Sequence, residues 1–275
     1  MRKGKVHILI VTAAVVLCAA VWMPEQLVKY RDRSTLNHIV AETVEDKGEG
    51  YRYALNSNEK LYILSKCLTN QVLPESEASA MTKTEQEVDY DSLTGNYAFV
   101  VNHQGPSGQE ITDEQIYARC NEELAVLREL SVLPDEVHSV SAETHSAVLY
   151  SAIDVLEPRN NLSVWKISLQ TGQQNANREG CLLDVYIDAD TGKIYEFYVR
   201  TVESTWETLD ADAMAASWGA YLGLSGMEAD DNENPLLETT DDYEKYRLPG
   251  MKEGSTVMTI GFYEGINELF LKVSR

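Results

Sequence analysis

The chain has 275 residues, 44% hydrophobic and 24% charged, a composition that fits a folded protein with one large domain or two modest ones. Its formal net charge is −21, from 44 acidic against 23 basic residues. A domain so acidic repels nucleic acid and anionic lipid, so no nucleic-acid partner is expected. Solubility accounts for such a charge, and attraction of cations or of a basic partner is its other use.

The opening "MRKGKVHILIVTAAVVLCAAVWMPEQ" places Arg2, Lys3 and Lys5 before an apolar run from Val6 to Met23, interrupted only by His7. That run has the length of a bilayer-spanning helix, with its basic flank on the cytoplasmic side. The expectation is a cytoplasmic tail at 1–5, a single transmembrane helix at 6–24 serving as a signal anchor, and an extracytoplasmic remainder. A cleavable signal peptide, cut after Ala20, is the alternative; the run is long for a signal core, and Trp22 suits a membrane interface.

Residues 25–105 read as a juxtamembrane stalk, a helix and a polar linker. Leu36, Ile39, Val40 and Val44 stand at near-helical spacing, and "DKGEG" ends that stretch. Asn56, with Glu59 three residues on, announces a helix carrying Leu61, Ile63, Leu64, Cys67 and Leu68. From 72 to 93 the sequence turns polar without an apolar period, and "NYAFVVNH" then reads as a strand.

The next helix has the clearest start signal in the chain. In "ITDEQIYARCNEELAVLREL", Thr112 and Gln115 are spaced as a capping box, and Ile111 and Ile116 as a hydrophobic staple. Ile116, Cys120, Leu124 and Leu127 continue one face, with Leu130 or Ser131 after them. Asp113, Glu114, Arg119, Glu122 and Arg128 mostly take the other, so the helix is expected to lie on a sheet. Three or four antiparallel strands follow, through "SAVLYSAIDVL", "LSVWKISL" and "LLDVYIDADTGKIYEFYV", with "QTGQQNANREG" as a polar connection.

Asp210 opens a third helix with Met214, Trp218, Tyr221 and Leu222 on its apolar face, and "YEKYRL", "STVMTIGFY" and "INELFLKV" read as strands after it. Helix-then-strands thus occurs twice, at 106–205 and 206–275. This pattern fits an internal duplication or two similar units arising by chance. The fold class expected is α+β: an N-terminal transmembrane helix, then helix-plus-antiparallel-sheet units.

"LDVYIDADTGKIYEFYV" could bind a cation or turn the chain. Counted from Asp188, an EF-hand loop would need a ligand where Gly192 stands, a glycine where Lys193 stands and a glutamate where Val199 stands, so the match fails. A β-hairpin accounts for the residues better. Leu183, Val185 and Ile187 alternate with Asp184 and Tyr186, Asp188–Gly192 supplies the turn, and Tyr195, Phe197 and Val199 resume an apolar face. A helix, a "VWKISL" strand and this "DxxTGK" hairpin resemble the PepSY domain family over about 111–200. The resemblance implies a secreted or membrane-attached bacterial module that binds or inhibits a partner, and it supplies no catalytic residues.

Other candidate chemistry is sparse. Of the histidines His7, in the apolar run, and His38, His103, His138 and His145, no pair has zinc-protease spacing, and surface positions are expected for the last four. Asp230, Asp231 and Glu233 could hold calcium but read as a solvated acidic loop. Tyr186, Tyr195, Phe197 and Tyr198 read as sheet packing. Asn161 and Ser163 form a glycosylation sequon. Cys67, Cys120 and Cys181 are an odd number without close spacing and read as buried free thiols, although one bridge among them is open outside the cell.

No catalytic, cofactor-binding or metal residues are assigned, and no cofactor is expected. The function expected is a non-catalytic extracytoplasmic binding or regulatory module engaging an envelope protein or peptide and modulating a protease or sensor. A structural subunit of a membrane complex, or an envelope hydrolase with a dispersed site, are the alternatives.

Overall fold

In a computed structural model of the chain, residues 52–71, 96–170, 172, 180–230 and 240–273 are described. The chain divides into two units, Met1–Lys47 and Gly48–Arg275, and all described residues fall in the second. Helix α1 spans Ser57–Gln71, α2 Ile116–Glu129 and α3 Ala211–Leu222. The strands are β1 (Tyr97–Val101), β2 (His145–Asp154), β3 (Asn161–Leu169), β4 (Cys181–Asp188), β5 (Ile194–Arg200), β6 (Glu228–Ala229), β7 (Tyr243–Pro249), β8 (Ser255–Tyr263) and β9 (Glu268–Lys272).

All nine strands among the described residues belong to one antiparallel sheet in the order β1-β2-β3-β4-β5-β9-β8-β7-β6. This corrects the expected architecture of a transmembrane helix followed by helix-plus-sheet units. The last strand of the first half pairs with the last strand of the second, Phe197 opposite Leu271 and Val199 opposite Leu269, so the sheet passes unbroken from one half to the other. The physical cause is edge protection: two open edges rich in apolar residues satisfy each other's backbone groups and share one core. The membrane-anchor expectation is corrected likewise. No helix among the described residues is long and apolar enough to cross a bilayer, and the span at 6–24 lies outside the described residues. The stalk helix and the polar linker at 72–93 lie outside them as well.

Local signals set the helix starts. Asn56 and Glu59 form a reciprocal capping box, Glu59 N donating to Asn56 Oδ1 at 3.0 Å and Asn56 N to Glu59 Oε2 at 2.9 Å. Asp210 caps α3 by accepting from Ala213 N at 2.9 Å, and Gly223, at φ 68°, ends it in the left-handed conformation that glycine adopts without a side-chain penalty. The start of α2 differs from its expectation. Thr112–Gln115 form a preceding turn, and only half of the box is present, Thr112 N donating to Gln115 Oε1 at 3.3 Å.

Helices α2 and α3 cover one face of the sheet and α1 lies on the other. On the first face Trp165 Nε1 donates to Ile111 O just before α2, Trp218 Nε1 of α3 donates to Ile194 O, and Tyr246 OH reaches Asp212 of α3. On the second face Tyr62 of α1 meets Tyr97 edge-on, ring centroids 6.1 Å apart, and Leu61, Ile63, Leu64, Cys67 and Leu68 are buried. Burial of five such side chains holds α1 in place far more strongly than its intrinsic helix propensity could. Gly250 and Gly254, in the β7–β8 turn, leave the space that the Tyr62 ring fills.

Candidate functional site

Strand β5 runs between two charged neighbourhoods. Its starting end is the hairpin turn 189–193; the hairpin forms, but irregularities between Leu182 and Asp184 and between Tyr186 and Ile187 interrupt the expected alternation, so Leu182 is buried and Leu183 only partly so. Asp188, buried to 1%, is the hub. Its Oδ2 accepts from Lys60 Nζ at 2.9 Å, Thr191 Oγ1 at 3.0 Å and Tyr195 OH at 2.8 Å, while Oδ1 accepts from Asp190 N at 2.9 Å. Gly192, at φ 78°, packs so closely on the Arg119 side chain that a Cβ would collide with it, and Arg119 Nη2 donates to Thr191 O. The turn therefore needs glycine twice over, for conformation and for space.

Three further ion pairs converge here. Arg52 meets Glu110 at 2.7 Å and Asp190 at 3.6 Å, and Lys60 also meets Asp190 at 3.1 Å. Beneath them Glu123 of α2, buried to 3%, takes Arg119 at 2.7 Å, Lys193 at 3.1 Å and the Tyr221 hydroxyl of α3 at 2.6 Å. Burial opposes the charge on Lys60, but attraction to Asp188 and Asp190 outweighs it and raises its pKa. Burial likewise opposes ionisation of Glu110, and hydrogen bonds from Ser163 and Ser107 with the Arg52 charge outweigh it and lower its pKa.

This constellation ties together α1, α2, α3 and the hairpin. The places where a cation would sit among Glu110, Asp188 and Asp190 are taken by Arg52 and Lys60. Among the described residues no group of His, Cys, Asp and Glu is arranged to hold a metal ion.

The finishing end of β5 has the opposite character. On the second face Arg200 stands opposite Glu268 in the β5–β9 register and opposite Cys181 in β4–β5. Arg200 and Glu268 are each partly buried, yet no ion pair joins them, and the Arg200 Nε–H is buried without an acceptor. Burial raises the pKa of Glu268, the attraction of Arg200 opposes that rise, and Asp184 adds to it.

Beside them lies an aromatic row. Tyr263 stacks on Phe270 with centroids 4.8 Å apart, and Phe270 lies 6.2 Å from Tyr198. The Phe270 ring occupies the space over Gly261, where any Cβ would strike it. Past Arg200, Thr201 N donates to Asn267 O at 2.8 Å, and flanking that bond Val202 and Ile266 are 43% and 52% exposed.

The remaining sequence candidates separate. His103 and His138 are exposed as expected, whereas His145 is buried to 4%, which corrects its surface placement: its ring nitrogens lie 2.8 Å from Thr144 Oγ1 and 2.9 Å from Leu182 O. His138 and His145 both line a cavity of about 280 Å³ with Ser139, Thr144, Leu169, Cys181 and Leu182. His7 and His38 lie outside the described residues.

Asp230 pairs with Arg247 at 2.9 Å; Asp231 and Glu233 lie outside the described residues. Tyr186, Tyr195 and Phe197 are buried and Tyr198 is partly buried, and Tyr186 and Tyr198 lie on the second face while Phe197 lies on the first, so the alternation divides the aromatic cluster between the faces. Ser163 of the sequon is fully buried. Cys67, Cys120 and Cys181 are free and buried, and burial pushes the thiols of Cys67 and Cys120 up to about 12.

Arg200, Glu123 and Glu268 carry the polar features that the sequence reading missed. Glu123 was legible in retrospect, because it falls between Cys120, Leu124 and Leu127 on the buried face of α2. For Arg200 no sequence signal existed, because its neighbour Glu268 arrives through the pairing of strands far apart in the chain.

Comparison with known proteins gives no relative: no protein-family profile, curated protein or solved structure matches this chain.

Proposed function

We propose that the chain is a non-catalytic binding and regulatory module, working outside the cytoplasm, that engages an envelope protein or peptide and thereby modulates a protease or sensor. The observation that carries this reading is the finishing end of β5 and its surroundings. Two exposed aliphatic side chains, Val202 and Ile266, flank one backbone hydrogen bond, next to the partly buried Arg200, Glu268 and Tyr263. Apolar anchors beside convergent polar groups are the usual composition of a protein-recognition surface. The extracytoplasmic location and the regulatory role both draw their support from the resemblance of 111–200 to PepSY domains.

The test is crosslinking in intact cells with a photoreactive residue in place of Ile266, and for comparison in place of Asp113 on the solvent side of the α2 approach. A specific adduct from position 266 that is absent from position 113 and weakened by Val202→Lys is the expected result. Identical adducts from both positions, or none from 266, would overturn the reading.

A further inference from the structure

We infer that Arg200 anchors a carboxylate of the bound partner on the second face of the sheet. This rests on the binding reading above and names the chemistry by which that surface selects its ligand.

Three observations lead to it. First, the Arg200 Nε–H is buried without an acceptor on a side chain that is only partly buried as a whole, and native structures rarely leave a buried donor unpaired without a functional reason. Secondly, no close ion pair consumes it: Glu268 is its partner in register and feels its charge, Asp184 lies nearby on the same face, and neither closes an ion pair with it. The guanidinium is thus held partly buried by its strand, with a donor pre-positioned rather than consumed. Thirdly, its neighbours suit a peptide. Tyr198, Phe270 and Tyr263 form an aromatic row on one side, and Val202 and Ile266 supply exposed aliphatic surface beyond the strand end.

The class of anion follows from the charge around the site. A guanidinium fork matches carboxylate and phosphate alike. A phosphate dianion would set two negative charges beside Glu268 and Asp184, the second of which Lys166 approaches at 4.0 Å, whereas a carboxylate brings one. The overall charge of −21 gives no long-range attraction to an anion, so retention depends on local donors and apolar contacts, and the ligand is a carboxylate with apolar neighbours. A peptide C-terminus and a glutamate side chain both offer that chemistry.

The experiment uses the full chain labelled with ¹⁵N-arginine, following the Arg200 Nε–H resonance, which is assigned by its disappearance in Arg200→Lys. The probes are N-acetyl-Val-Tyr-Val with a free C-terminus, its C-terminal amide, and the amidated peptides N-acetyl-Val-Glu-Val and N-acetyl-Val-Gln-Val. The Arg200 signal is expected to move saturably with a carboxylate-bearing peptide. Removing that carboxylate, or replacing Arg200 by Lys or Gln, should weaken binding by roughly tenfold to a hundredfold. Unchanged remaining arginine signals show that the variants are folded.

Loss of binding on amidation identifies a C-terminal carboxylate, and loss on Glu to Gln identifies a side chain; either supports the inference. Equal binding of acid and neutral peptides, or binding that leaves the Arg200 resonance in place, overturns it. The two readings fail separately. Crosslinks from position 266 that persist at full yield in Arg200→Gln sink the carboxylate while leaving the binding surface, and absence of those crosslinks sinks the surface itself.

Discussion

The two ends of β5 solve the problem of a buried charge in opposite ways. At the Ile194 end, four protein donors converge on the Asp188 carboxylate, and the ammonium of Lys60 is shared between two acids. At the Arg200 end, a guanidinium and a carboxylate face each other in register without pairing. Polar groups in a low-dielectric interior specify a structure when every partner is present and weaken it when one is missing. The first end therefore reads as architecture, fixing three helices against one hairpin. The second reads as a place where stability has been left unclaimed, which is what recognition surfaces do.

The largest effect should come from the first end. Asp188→Ala strips the hub, leaving the buried Tyr195 hydroxyl without its acceptor and Lys60 with only the more exposed Asp190, so a loss of about 3–5 kcal/mol is expected in urea unfolding. Asp190→Ala removes an acid that is 37% exposed on its side chain and shares Lys60 with Asp188 and Arg52 with Glu110, and should cost less than about 1 kcal/mol. Equal losses from the two substitutions would show that the hub is not centred on Asp188.

Glu110 gives the same end a pH signature. Its pKa is lowered in the folded state, so the folded protein binds its proton less readily than the unfolded chain does. The resulting stabilisation is full above the ordinary carboxylate pKa and disappears as pH falls through the lowered folded value. Glu110→Gln should therefore be less stable than the parent at pH 7, with the gap closing below about pH 4. A gap that stays constant down to pH 3 would assign the loss to packing instead of charge.

The sequence showed the local pieces of this molecule and hid how they assemble. Asn56, Asp210 and the 183–199 hairpin were readable because caps and turns depend on residues three to five apart. The nine-stranded sheet was not, because the pairing of β5 with β9 joins Phe197 to Leu271 and no periodicity encodes which edge meets which. The same reason hides the Arg200–Glu268 juxtaposition. Lys60 as a partner of Asp188 was out of reach as well: a lysine at a helix start is ordinarily a solvated surface charge, and only the docking of α1 brings it to the turn. His145 reads as a surface residue because "ETHSAVLY" places polar residues before it, but β2 begins at that histidine, and the strand turns its ring toward the Leu182 carbonyl.

The smallest effect, and the sharpest contrast with Asp188, belongs to Glu268. Its folded pKa is raised, so here the folded protein holds the proton more tightly than the unfolded chain, and stability falls as pH rises from the ordinary carboxylate range through the raised value. Replacing it with neutral Gln removes that fall. Glu268→Gln should raise the urea midpoint slightly at pH 7, and the advantage should vanish near pH 4, where the parent is protonated in both states. A charge that costs stability where it stands, opposite an arginine it does not pair with, is the reverse of Glu110, whose neighbours all favour its ionised form. If Glu268→Gln lowers stability at pH 7, then Glu268 and Arg200 support each other in solution, the two ends of β5 are alike, and Arg200 is not held in reserve for a ligand.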